Sequence, residues 1–316
     1  MKIYKDLSRE IKGTNTHYFD FEDHASRHDS SALYYGYTFI EDQAHPDILK
    51  SHEKNIYLNV VPPTEFCGPY NTQAEDRFDE IYSICPFTVK WLNKLKNTNK
   101  YKKIWYPFNS KHTPSHGKKK YDVCYHGGIH GPKYIQMLDI LSRFDYRYMT
   151  MDHSINHTTR SQLGRATDLN LSYKQKMERI SECKISVCYN NFPARDEKDL
   201  QNIKNQPQWH ENEAFSHAAS DGILPQLKSR FIEACFAKTL NLVERDPWNV
   251  IEEWYEPNVH FIYFDGNEDL ETKIKKIVNS SNWSDSYEKI INAAYKRSVE
   301  NYTCEHLIKY IKNNEL

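Results

Sequence analysis

The chain has 316 residues, enough for two domains that each bury a core of their own. Its 42 Lys+Arg are balanced by 43 Asp+Glu, which excludes the basic footprint of a protein that grips nucleic acid through phosphates. No apolar run of about 18 residues is present to span a bilayer, and the opening Met1-Lys2-Ile3-Tyr4-Lys5-Asp6 lacks the apolar core of a signal peptide. A soluble, cytoplasmic protein is expected.

The seven cysteines, Cys67, Cys85, Cys124, Cys183, Cys188, Cys235 and Cys304, are scattered without CxxC spacing and read as reduced thiols, several of them buried. The stretch to about Ser31 is polar and rich in His and Asp. Short apolar and aromatic runs follow at Ala32–Tyr37, Asn55–Val61 and Asp79–Ile84, each ended by breakers, and they predict strands. Pro86 opens a helix with Phe87, Trp91 and Leu95 on one face, and Lys103–Phe108 reads as a fourth strand. Strands alternating with helices at this spacing imply parallel βα units. Ser110–Lys120 has no apolar periodicity and is the expected linker.

Tyr121–Tyr125 has a buried-strand pattern and runs through His126-Gly127-Gly128 into a helix carrying Tyr134, Met137, Leu138 and Leu141. Strands are expected at Phe144–Met149, Lys184–Tyr189, Thr239–Val243 and Val259–Phe264. Helices are expected at Tyr173–Ser181, Leu227–Lys238 and Asp269–Val278, with one terminal helix from about Ser286 to Asn313. The resulting division is an N-terminal domain over 1–114, a second domain over 115–290 and a terminal helix over 291–316.

In an open parallel sheet, ligands bind outside the carboxyl ends of the strands, near helix N-termini. Three segments fall there. Gly127-Gly128 allow the backbone to approach a ligand at a helix start suited to a diphosphate, or simply make a tight turn. Lys228 and Arg230 stand where a helix begins, the wrong end for cations by the macrodipole; a bound diphosphate supplies the reason, and a solvated charged face is the bland alternative. Glu233, three residues on, lies on the same side and is suited to accept from ribose hydroxyls. Asn190-Asn191, after the Lys184–Tyr189 strand, offer amides to a base or a sugar, or to an ordinary turn.

These segments carry a resemblance. Ser181–Asn190 resembles the strand before the donor loop of group 1 glycosyltransferases of the GT-B fold, and Leu227–Lys238 resembles their Arg-x-x-Glu-Ala helix. Thr239–Glu244, Trp248–Pro257 and Val259–Leu270 are similar to the elements that follow, and Ala294–Thr303 to the closing helix, so the match spans roughly 120–312. Where the family usually has Gly, this chain has Lys238, and Asp221-Gly222 only loosely echoes the acidic residue and Gly before the helix.

The resemblance implies an α/β protein of two Rossmann-like domains facing across a cleft, with a short N-terminal domain and a C-terminal helix crossing back to it. It implies transfer of a sugar from a UDP- or GDP-sugar co-substrate to a glycan or glycoprotein acceptor, with no metal or other cofactor. Lys228 and Arg230 would hold the diphosphate together with Gly127 and Gly128, Glu233 the ribose, and Asn190 and Asn191 the base or sugar. Fixed cations lower the barrier as charge builds on the departing diphosphate, which makes Arg230 a catalytic candidate. A general base near the acceptor is sought in the first domain, where Asp20, Asp23 and His24 are candidates, with Glu41-Asp42 behind them.

Two competing functions are weighed. One is a GT-B-like nucleotide- or carbohydrate-binding module without turnover, suggested by the short first domain. The other is a metal-dependent hydrolase built on the N-terminal cluster of His17, His24 and His28 with Asp20 and Asp23; His126, His130 and His153 are a second set that could surround a metal, and neither set has compact ligand spacing.

Overall fold

The computed structural model describes residues 2–5, 31–36, 53–59, 78–129, 131–151, 163–193 and 223–313. Two parallel sheets organise them. The first has β1 (Lys2–Lys5), β2 (Ser31–Gly36), β3 (Lys54–Asn59), β4 (Glu80–Ser83) and β5 (Tyr101–Lys103) side by side in chain order. Helix α1 (Pro86–Lys96) joins β4 to β5. Pro86 pre-sets its first turn, and Asn97 closes it in the left-handed conformation, at φ 47°, that Asn tolerates. Of the expected helix face, Phe87 is half-buried, while the Trp91 and Leu95 side chains lie outside the described set.

The fourth strand differs from expectation. It occupies Tyr101–Lys103, ahead of the apolar run Ile104–Phe108, which is buried as irregular chain. Pro107 cannot donate to a ladder. Phe108 instead bridges Thr303 near the chain's other end.

The second sheet holds β6 (Tyr121–His126), β7 (Tyr146–Thr150), β8 (Asp168–Leu169), β9 (Cys183–Cys188), β12 (Leu240–Glu244) and β13 (Ile262–Phe264), all parallel, in the order β13-β12-β9-β6-β7-β8. A small antiparallel pair, β10 (Asn191–Pro193) with β11 (Ile223–Pro225), extends from the end of β9. Helices α2 (Pro132–Leu141), α3 (Tyr173–Ser181), α4 (Ser229–Phe236) and α5 (Gly266–Val278) connect or follow these strands.

Strands covered on both faces read as apolar runs, and here the two faces feed two cores. Val123, Tyr125, Ile185 and Val187 pack with Tyr134 and Leu138 of α2 and Leu270 and Ile274 of α5. Cys124, Cys188 and Val243 pack with Met177 of α3 and Phe231 and Phe236 of α4, in a cluster that runs on to Leu58 and Tyr82 of the first sheet.

The expected single terminal helix is two, α6 (Trp283–Asn301) and α7 (Cys304–Asn313), broken at Tyr302-Thr303. The break serves the Phe108 bridge: Phe108 N donates to Tyr302 O at 3.3 Å, and Cys304 N to Phe108 O at 3.0 Å. Tyr302 then tilts against Trp105, and Tyr310 of α7 stands edge-on to Tyr82 of β4 at 5.8 Å. Six of the cysteines are buried; Cys67 lies outside the described residues. No helix among the described residues is long and apolar enough to cross a membrane.

Candidate functional site

The strand order of the second sheet reverses at β6: the chain steps from β6 outward to β7 and β8, then returns to lay β9 on the other side. A crevice opens where the loops leaving two such neighbouring strands diverge. The loops here are 127–131 after β6 and 189–190 after β9, and α4 points its first turn at them.

Arg230, in that first turn, is 8% exposed, and its Nη1 is buried without a hydrogen-bond partner among the described residues. The guanidinium lies over the Tyr125 ring, 4.6 Å from its centroid. Its Nη2 edge faces Gly127, which has φ 123°. A Cβ on Gly127 would come within 2.4 Å of Arg230 Nη2, so only glycine admits the guanidinium. Gly127 therefore acts at the site by making room for a cation. The adjoining Gly128 gives its carbonyl to the Tyr125 hydroxyl at 2.9 Å, steadying the ring under Arg230.

Lys228 precedes α4 as its N-cap, and its backbone N–H donates to Asn190 Oδ1 at 3.1 Å. Burial, then the neighbouring Arg230, pushes the Lys228 ammonium well below its ordinary pKa. Asn190 is fully buried, with its Nδ2 unpaired among the described residues. Asn191 instead spends its Nδ2 on Glu244 Oε2 at 2.9 Å, and Glu244 is also paired with Lys133.

Glu233 sits one turn beyond Arg230 with 0% exposure. Its Oε1 accepts from Lys176 Nζ at 2.7 Å and from the Tyr173 hydroxyl at 3.1 Å, both on α3. Its Oε2 faces His126 Nδ1 at 3.2 Å, with no hydrogen bond of good geometry among the described residues. Burial raises the Glu233 pKa, but Lys176 and His126 outweigh it and hold the carboxyl well below the carboxylate range. Burial drives His126 down to about 4 against the pull of Glu233, so it is neutral at physiological pH, with Nε2 3.4 Å from Ser186 Oγ. Behind the site, Asp246 is 3% exposed, its pKa pushed by burial to about 6, with backbone donors from Trp248 and Val250 on one oxygen.

Of the residues expected from sequence, the structure thus brings together Gly127, Gly128, Asn190, Lys228, Arg230 and Glu233, with Asn191 adjacent and turned to Glu244. Asp20, Asp23, His24, His17, His28, Glu41, Asp42, His130, His153, Asp221 and Gly222 lie outside the described residues. Sequence reasoning passed over Tyr125, Tyr173, Lys176 and Glu244. One signal existed for Lys176: it shares the face of α3 that buries Tyr173, Met177 and Ile180, where a lysine needs a partner. Among the described residues no group of three or more His, Cys, Asp or Glu is placed to hold a metal.

Residues 214–313 match the family model described as Glycosyl transferase-like. A search of curated protein sequences finds no match. Among solved structures, this one is similar to TarM of S. aureus in complex with fondaparinux, alpha-GlcNAc-glycerol and UDP, with TM-score 0.56, 10% identity, and 93% of this chain covering 57% of that one. It is similar to HepE of Anabaena in complex with UDP-glucose, with TM-score 0.57, 10% identity, and 89% of this chain covering 78% of that one. Sucrose-phosphate synthase from Thermosynechococcus elongatus gives TM-score 0.56 at 10% identity, with 89% and 72% covered. The chain thus spans little more than half the length of TarM, and at such identities what is shared is the fold. The chain has the GT-B fold, two Rossmann-like units in one polypeptide, and its residues 214–313 match a glycosyl transferase-like family model.

Proposed function

We propose that this protein transfers a sugar from a nucleoside-diphosphate donor, a UDP- or GDP-sugar, to a hydroxyl of a glycan or glycoprotein, without a metal. The observation that carries the reading is Arg230: a buried guanidinium over the Tyr125 ring, its Nη2 edge against the Cβ-less Gly127 at the switch point, with Nη1 unpaired among the described residues. A diphosphate oxygen completes that group, and a second meets Lys228. Asn190 Nδ2 and Glu233 Oε2 are two of the nearby polar atoms without a hydrogen-bond partner among the described residues, a donor and an acceptor suited to the rest of a nucleotide, and the ribose role is given to Glu233.

Sugar transfer passes through an oxocarbenium-like state while negative charge builds on the departing diphosphate. Arg230 is fixed in a desolvated slot before the reaction starts, so it stabilises that charge without reorganising. Burial and Arg230 push the Lys228 pKa down, and an arriving anion draws it back up. The base that activates the acceptor is assigned to the first domain, with Asp20, Asp23 and His24 the candidates. The acceptor-side and base-contacting roles of Gly128 and Asn191 belong to the same reading.

The test is nucleoside diphosphate release from a panel of nucleotide sugars, with and without glycan acceptors and with chelator throughout. Arg230→Ala is expected to lower kcat/KM by about a hundredfold to a thousandfold, the cost of losing one preorganised donor. Binding of nucleotide sugar with no turnover on any acceptor would make this a binding module; chelator-sensitive hydrolysis with no nucleotide binding would make it a hydrolase.

A further inference from the structure

At the opposite end of the second sheet lies a cavity of about 340 Å³, lined by Lys118, Lys119, Lys238, Trp283, Glu288 and Ile291 among others. It sits at the amino ends of β6, β9 and β12, away from the Arg230 crevice at their carboxyl ends. Three lysines face one carboxylate there. Lys119 is spoken for: its Nζ donates to Ser181 O at 2.8 Å, Lys238 O at 2.7 Å and Thr239 Oγ1 at 3.2 Å, so it clasps the carboxyl ends of α3 and α4, whose dipoles answer its charge. Lys118 and Lys238 are different. Among the described residues neither pairs with a carboxylate, and Lys238 lies over the Tyr295 ring at 4.6 Å, an arrangement that leaves its protons open.

Lys238 carries a second mark. It closes α4 in a Schellman motif, with Thr239 N donating to Ala234 O at 2.9 Å and Lys238 N to Cys235 O at 3.1 Å. That position calls for the left-handed conformation, here φ 50°, which glycine adopts freely and a lysine only at a cost of about 1 kcal/mol. A side chain kept at such cost is a pointer to use. The Trp283 indole N–H, in the cavity wall, is buried without an acceptor among the described residues.

We propose that this cavity is a binding site for a small phosphate-bearing anion, held by the Lys118 and Lys238 ammonium groups, with the apolar part of the ligand against Trp283 and Ile291. A phosphate offers the several acceptor oxygens that two ammoniums and an indole N–H together demand, and Glu288 marks the rim where a cationic or hydroxyl-bearing end is tolerated. The site is independent of the Arg230 crevice and does not rest on the transferase reading.

The experiment is calorimetric titration of inorganic pyrophosphate, at fixed ionic strength, into the wild-type chain, Arg230→Ala, Lys238→Gly and the double variant. The expected result is that Lys238→Gly removes one pyrophosphate site from the wild type, and that the site Arg230→Ala retains is absent from the double variant. Lys238→Gly is a safe fold probe, because it also relieves the left-handed residue and is expected to raise the melting temperature while losing the site. Should Arg230→Ala not fold, Lys118→Ala at an exposed position replaces it: on the wild-type background it weakens one of the two sites about tenfold. Equal pyrophosphate binding by Arg230→Ala and the double variant, or a wild-type stoichiometry unchanged by both Lys238→Gly and Lys118→Ala, overturns the proposal.

Discussion

Replacing Gly127 by alanine tests the architecture of the site without touching any group that would contact a ligand. The added Cβ stands 2.4 Å from Arg230 Nη2, where an ordinary non-bonded contact is about 3.5 Å, so the guanidinium must retreat by about 1 Å. The φ of 123° adds backbone strain of about 1–3 kcal/mol for any residue with a side chain. A misplacement of about 1 Å costs about a hundredfold in rate when the moved group positions or stabilises the reacting centre. Gly127→Ala is therefore expected to lose about 1–3 kcal/mol of stability in urea unfolding yet remain folded, and to lose about a hundredfold in kcat/KM for nucleoside diphosphate release. Gly164→Ala, where the added methyl meets nothing within 4 Å, is the control and should alter neither. An alanine variant with reduced stability and undiminished kcat/KM would refute the view that Gly127 exists to seat Arg230.

Asp246→Asn should stabilise the protein at pH 8 and leave it nearly unchanged at pH 4. The folded pKa of Asp246 is raised from 3.8 to about 6, so the neutral form stabilises the fold at low pH, and that contribution is lost as pH rises through 6. At 1.36 kcal/mol per unit the gain at pH 8 is at most about 3 kcal/mol, read as a shift in urea midpoint. His126 runs the other way: lowered from 6.5 to about 4, it costs stability as pH falls through that window. The two oppose each other in the wild type between pH 4 and 6, and Asp246→Asn should expose the His126 slope; a variant profile parallel to the wild type would contradict both assignments. Diphosphate binding should be linked to proton uptake, because the anion raises the Lys228 pKa that burial and Arg230 depress. Calorimetry in buffers of different ionisation enthalpy measures this, and binding without proton uptake would remove Lys228 from the clasp.

The sequence was most informative where local chemistry and tertiary role coincide. Helix α3 has the bounds its periodic apolar face predicts, Tyr173–Ser181, and the structure adds a capping box of Ser172 with Gln175 that fixes its start. The gathering of Gly127, Asn190, Lys228 and Arg230 followed from strand–loop–helix order, since all four sit at carboxyl ends of parallel strands or the adjoining helix start. Other features are set by distant partners. The displacement of β5 and the break at Tyr302-Thr303 are two sides of one contact, Phe108 with Thr303, which no local pattern encodes. Glu233 was read as facing outward to a ligand, but residues 57 and 60 positions away, Lys176 and Tyr173, occupy one of its oxygens and leave the other. The β10–β11 pair was missed because its strands are three residues long and far apart in the chain.

The most direct test of the Arg230 clasp is a calorimetric comparison of UDP with uridine on the wild type and on Arg230→Ala. The account predicts that UDP binds the wild type far more tightly than uridine does, and that Arg230→Ala erases most of that difference while leaving the affinity for uridine in place. Wild type and Arg230→Ala binding UDP equally well, or a wild type indifferent to the diphosphate, would contradict it.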